Sequence, residues 1–77
     1  MTKLVPISGR KLCKILEKLD FEEIHGKGSH VRFRQLDGRR TVVPVHSNEE
    51  IGISLLNEIL KQTKISREEY DKLRREV

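Results

Sequence analysis

The chain has 77 residues, of which 35% are hydrophobic and 36% charged, with 16 Lys and Arg against 12 Asp and Glu for a net charge of +4. That length suits one domain spanning residues 1–77 with a thin core, and the clustering of its apolar residues excludes a disordered chain. No apolar run approaches the ~20 residues of a membrane helix and the start shows no secretory signal pattern, so a cytoplasmic protein that does not enter the membrane is expected.

A basic excess on so small a body favours anionic partners, nucleic acid before membrane surface. The competing account is a generally basic, well-solvated surface. The single cysteine, Cys13, has no disulfide partner and no ligands at metal spacing. It reads as a small packed thiol within a helix.

In chain order, Ser8 after Pro6 reads as an N-cap whose hydroxyl accepts from the first helical turn. Leu12, Ile15, Leu16 and Leu19 then recur at helical spacing and predict a helix over residues 9–19. Arg10, Lys11, Lys14 and Lys18 cover much of its remaining surface. That cationic face could touch RNA, although such runs are more often solvated helix faces.

The period then changes. Residues 21–25 predict a short strand, broken by Gly26-Lys27-Gly28. Residues 29–35 alternate, with Val31 and Phe33 on one face and His30, Arg32 and Arg34 on the other. Asp37-Gly38 is a hairpin signal, and residues 39–45, rich in β-formers, predict the return strand. Pro44 lacks a donor and places that strand at an edge, or makes it irregular. Ser47-Asn48-Glu49-Glu50 is a polar connection, and Gly52 precedes a second helix over residues 53–63. Its inward stripe is read as Leu55, Leu56, Ile59, Leu60 and Thr63. Ser66 and Glu69 are spaced as a capping box for a last helix that turns Tyr70, Leu73 and Val77 inward. The order α-β-β-β-α-α predicts an α+β fold whose antiparallel sheet is covered on one face.

The segment that carries chemistry runs from Gly26 to Arg34. Its two glycines permit close backbone approach to a ligand. His30 follows them, and imidazole is the side chain whose ordinary titration lies near neutrality. It can take a proton from a ribose 2′-hydroxyl or give one to a leaving 5′-oxygen. Lys27, Arg32 and Arg34 could hold the phosphate and offset its developing charge, and this chemistry calls for no metal or cofactor. If Val31 and Phe33 pack under the helices, His30 points to the open face with the arginines. The competing account is a surface histidine in an ordinary polar strand face. Gly28 and Ser29 are candidate phosphate contacts, since Ser29 has no visible triad that would make it a nucleophile. The carboxylates form neither a catalytic pair nor a metal-ligand pattern, and His25 is assigned no role.

His46 depends on hairpin register. A two-residue loop pairs residue 33 with 42 and 31 with 44, which puts His46 on the packed face. A three-residue loop sets Val43 and Val45 opposite Val31 and Phe33, and His46 then shares the face of His30. The second is preferred because it keeps both histidines near the charged face, where His46 would contact substrate. A strand-end histidine bonded to the following connection is the competing account.

These residues resemble the HicA family, the toxin half of HicA–HicB toxin–antitoxin systems, also described as YcfA-like. The resemblance covers residues 7–70 and rests on the order of several elements. These are Ser8-Gly9-Arg10-Lys11-Leu12, Gly28-Ser29-His30 with the alternation after it, and Asp37-Gly38-Arg39-Arg40. Pro44-Val45-His46, Gly52, Ile59-Leu60 and Ile65-Ser66-Arg67-Glu68-Glu69 follow them.

The resemblance implies a fold similar to a double-stranded-RNA-binding domain, with helices on one face of a three-stranded antiparallel sheet. It implies an endoribonuclease of the mRNA interferase type, with His30 at the catalytic position. It further implies neutralisation by a HicB-type antitoxin that covers the site; a monomer when free is the default. One departure is Asp20, where the family usually has glycine at a helix terminus of positive φ. Aspartate tolerates that conformation less well, which leaves room for a different turn. Two other functions stay open: a non-catalytic module that grips RNA by shape and phosphates, and a protein-interaction domain whose basic face meets an acidic partner.

Overall fold

The computed structural model describes residues 3–24, 28–46 and 49–77. His25, Gly26, Lys27, Ser47 and Asn48, read above as a strand end, a glycine turn and a polar connection, lie outside the described residues. The elements are α1 (Gly9–Lys18), β1 (Glu22–Ile24), β2 (His30–Arg34), β3 (Arg40–Pro44), α2 (Ile53–Thr63) and α3 (Arg67–Arg74). The sheet is antiparallel in the order β1-β2-β3. This is the α+β fold expected, with a three-stranded antiparallel sheet and three helices.

Helix α1 starts where Ser8 caps it, its hydroxyl accepting from the Lys11 backbone N–H at 3.3 Å. Leu12, Ile15 and Leu16 are fully buried. The helix ends in a Schellman arrangement: Asp20 N–H donates to the Glu17 carbonyl and Phe21 N–H to the Leu16 carbonyl. Asp20 takes φ 66 there, so the glycine-type turn is kept despite the aspartate. Phe21 is therefore a buried core residue of that turn, and the strand expected from residue 21 begins at Glu22. Helix α2 ends the same way, with Lys64 at φ 56 and Ile65 N–H donating to the Leu60 carbonyl.

The hairpin between β2 and β3 has a three-residue loop. Gly38 N–H donates to the Gln35 carbonyl at 2.9 Å, Gln35 N–H donates to the Arg39 carbonyl at 2.8 Å, and Gly38 takes φ 100. A type I turn followed by a left-handed glycine is a common solution for that length. The register pairs Val31 with Val43, Phe33 with Thr41 and His30 with Pro44. Thr41, not Val45, therefore stands opposite Phe33, because partner positions run in opposite directions along antiparallel strands; Val45 falls opposite Ser29 and donates its N–H to the Ser29 carbonyl. Pro44 ends an edge strand, where its missing N–H breaks no ladder bond.

Phe33, Thr41 and Val43 are buried with Leu12, Ile15, Leu16, Leu56, Ile59 and Leu60 of α1 and α2. The opposite face, with His30, Arg32, Arg34, Arg40 and Val42, is exposed. Leu55 was expected inward but is 42% exposed, since the buried stripe of α2 is carried by Leu56, Ile59, Leu60 and Thr63. Helix α3 packs on α1. Ser66 caps it through the Glu69 N–H at 3.1 Å, and buried Tyr70 donates its hydroxyl to the Val5 carbonyl. Leu73 and Val77 are partly buried against the core. Leu4, Ile7, Ile51 and Ile65 complete it, and the Ile51 N–H donates to the Ile7 carbonyl. Among the described residues, no helix is long and apolar enough to cross a membrane.

Candidate functional site

Strand alternation aims the site. Because Val31 and Phe33 face the helices, His30, Arg32 and Arg34 face the other way, and all three are exposed. Gly28 sits just before them at φ 62, with nothing within 4 Å of where a Cβ would project. Glycine is needed there for the backbone angle and not for lack of room. Ser29 is half-buried, and its carbonyl accepts the Val45 N–H. That bond ties the start of β2 to the segment after β3. Lys27, a candidate phosphate contact, lies outside the described residues.

His46 follows Pro44 by two residues, and Pro44 is the partner of His30. The diagonal neighbour across an antiparallel pair is within side-chain reach. The rings of His30 and His46 have centroids 6.4 Å apart and stand edge to face at 83°. The preferred register thus brings the two histidines together, and His46 is exposed.

The register also adds a residue that the sequence reading missed. Arg40 is directly opposite Arg34, and both are exposed. Like charges directly opposite across a sheet are unfavourable unless an anion joins them. Glu22 of β1 answers only in part, with its carboxylate 3.7 Å from the Arg34 guanidinium in an exposed pair. The signal was present in the three-residue loop preferred from the sequence, since the parity of Arg40 follows from it.

Arg39, beside it in sequence, has a different fate. It donates to the Asp37 carboxylate at 2.8 Å and to the Thr63 carbonyl, and its guanidinium lies 5.1 Å from the Phe21 ring centre. The Arg39 backbone N–H, more than its guanidinium, holds the Asp37 carboxyl below the usual range. Arg39 therefore locks the hairpin to the end of α2.

The Cys13 thiol is pushed up to about 11, chiefly by burial and then by Glu23 and Glu17. A thiol held protonated is a poor nucleophile, which fits a packing role. Among the described residues, no three His, Cys, Asp or Glu side chains are gathered as a metal site. A groove lined by Arg32, Arg40, Ile24, Val42, Leu55 and Glu58, among others, runs beside the arginines. Neither histidine lines it.

No curated protein matches the chain. A family model described as the HicA toxin of bacterial toxin–antitoxin systems matches residues 9–65, which takes in every described site residue named above. With most of its length covered, the chain belongs to the HicA toxin family.

Proposed function

We propose that this toxin is an endoribonuclease that cuts mRNA by acid–base chemistry at His30, and that a HicB-type antitoxin neutralises it by covering the open sheet face. The observation that supports this reading is an exposed imidazole at the start of β2, on one face with Arg32, Arg34 and Arg40. RNA supplies anions at a regular spacing along its backbone, and the Arg34–Arg40 juxtaposition is relieved by one of them. Arg32 and Arg34, with Gly28, Ser29 and Lys27 before them, hold the backbone. His46 stands beside the scissile link. His30 exchanges the proton, and the guanidinium groups offset charge on the phosphate as it builds. The chemistry at these groups needs no metal.

The test is incubation of the purified chain with RNA in EDTA, beside His30→Ala. Cleavage should persist with the chelator and fall by at least ~10²-fold in the variant, the usual weight of a general acid or base. RNA binding should survive the substitution. Equal cleavage by both proteins removes His30 from the mechanism. Binding with no cleavage by either favours the non-catalytic RNA-binding module.

A further inference from the structure

We propose that His46 is the second acid–base group, so that His30 and His46 work as a pair on one phosphodiester. This rests on the endoribonuclease reading above. A ring-centre separation of 6.4 Å with the planes nearly perpendicular is too wide for a direct hydrogen bond between the imidazoles. It leaves both rings within reach of a single phosphate lying across them, each by a contact of about 3 Å. The pairing is built by backbone: the His30–Pro44 register and the Val45-to-Ser29 hydrogen bond hold the two ends together. A substrate-binding role alone would be met by a lysine or arginine. An imidazole, unlike either, is a side chain that can both take and give a proton near neutrality in acid–base catalysis.

The step balances without a co-reactant. The neutral ring takes the proton of the 2′-hydroxyl as O2′ attacks phosphorus. The O2′–P bond forms and the P–O5′ bond breaks. The protonated ring gives its proton to O5′. The products are a 2′,3′-cyclic phosphate and a free 5′-hydroxyl, and the rings, with their protonation states exchanged, reset through solvent. Arg32, next along the face from His30, offsets charge on the pentacoordinate phosphorus.

The experiment compares the unaltered chain with His30→Ala, His46→Ala and His46→Gln. Two substrates are used: an RNA oligonucleotide, and a ribonucleoside 3′-(4-nitrophenyl phosphate), whose leaving group needs no proton. On RNA, both His46 variants should lose at least ~10²-fold in rate while the melting temperature stays unchanged and RNA affinity falls far less than the rate. The rate of the unaltered chain should be bell-shaped in pH, and His46→Ala should lose one limb. Other charged groups around this face, among the described residues, include Arg32 and Arg34 of β2, Arg40 of β3, Glu22 of β1, Glu58 of α2 and Glu49, whose backbone N–H donates to the His46 carbonyl, and none is altered. On the activated substrate, one of the two alanine variants, and not the other, should regain most of its lost rate, which identifies the acid.

A His46→Ala variant that cuts RNA within about threefold of the unaltered chain, against the ~10²-fold expected, overturns this inference and leaves His30 in place. Rescue of both variants, or of neither, overturns it too. An unaltered chain that cuts nothing ends the endoribonuclease reading and this inference with it.

Discussion

At the scale of single residues, backbone angles explain several of the residue choices and one mismatch. Gly28 and Gly38 occupy positive φ where glycine is unstrained. Asp20 occupies φ 66 without that freedom, and its αL conformation costs an L-residue about 1–2 kcal/mol. The Schellman bonds from Asp20 and Phe21 and the burial of Phe21 hold it there. Asp20→Gly should therefore stabilise the fold by about 0.5–1 kcal/mol, part of the gain being offset by a freer unfolded chain. In a domain of this size that raises the melting temperature by several degrees, about 4–8 °C per kcal/mol. A lowered melting temperature would show that the aspartate side chain has a stabilising role of its own.

At the scale of elements, the start of α1 fits tightly against the end of β3. A Cβ built on Gly9 falls 2.2 Å from the Pro44 carbonyl oxygen and 3.2 Å from the Val45 Cα, both backbone atoms. No side-chain rotation relieves that contact, so Gly9→Ala must push the helix off the strand. Overpacking of this kind costs about 1–3 kcal/mol, and the urea midpoint should fall accordingly. The same displacement moves the segment that carries His46, so under the proposed endoribonuclease function RNA cleavage should fall more than the loss of folded protein accounts for. An unchanged midpoint would mean that α1 can shift without cost. Ser8, which caps the helix one residue earlier, also bridges to Glu50. The start of α1 is thus pinned on both sides.

At the scale of the whole molecule, a small core makes each buried polar group matter. Tyr70 joins α3 to the N-terminal segment through the Val5 carbonyl, and burial pushes its phenol up from 10.0 to about 12. Cys13 is likewise raised from 9.0 to about 11. Both groups hold their protons longer folded than unfolded. The unfolded chain releases them first, so stability falls as pH rises through the window from about 9 to about 12. Thermal melts across that range should show a steady decline. Tyr70→Phe should be less stable at neutral pH, having lost its hydrogen bond, but should lack the upper part of the decline. A melting temperature that is flat over the window in the unaltered chain would contradict this account.

Helical and strand periods, caps and turn residues are local properties. They make the six elements and their order legible in the sequence, because Leu12, Ile15 and Leu16, or Val31 and Phe33, already mark which side is wet. The facing of His30 follows from that alternation alone. The neighbours of His30 do not follow, since they depend on how two strands slide past each other. A change of one residue in the 36–38 loop would reverse the facing of His46 and move Arg40 away from Arg34. The exposure of Leu55 and the clasp of Arg39 on Phe21 and Thr63 are likewise set by contacts between distant elements. By itself, then, the sequence determined the elements, the covered face of the sheet and the identity of one candidate catalytic imidazole. Only the tertiary structure decided which groups stand beside it, because register and packing angle are properties of pairs of elements that no single segment encodes.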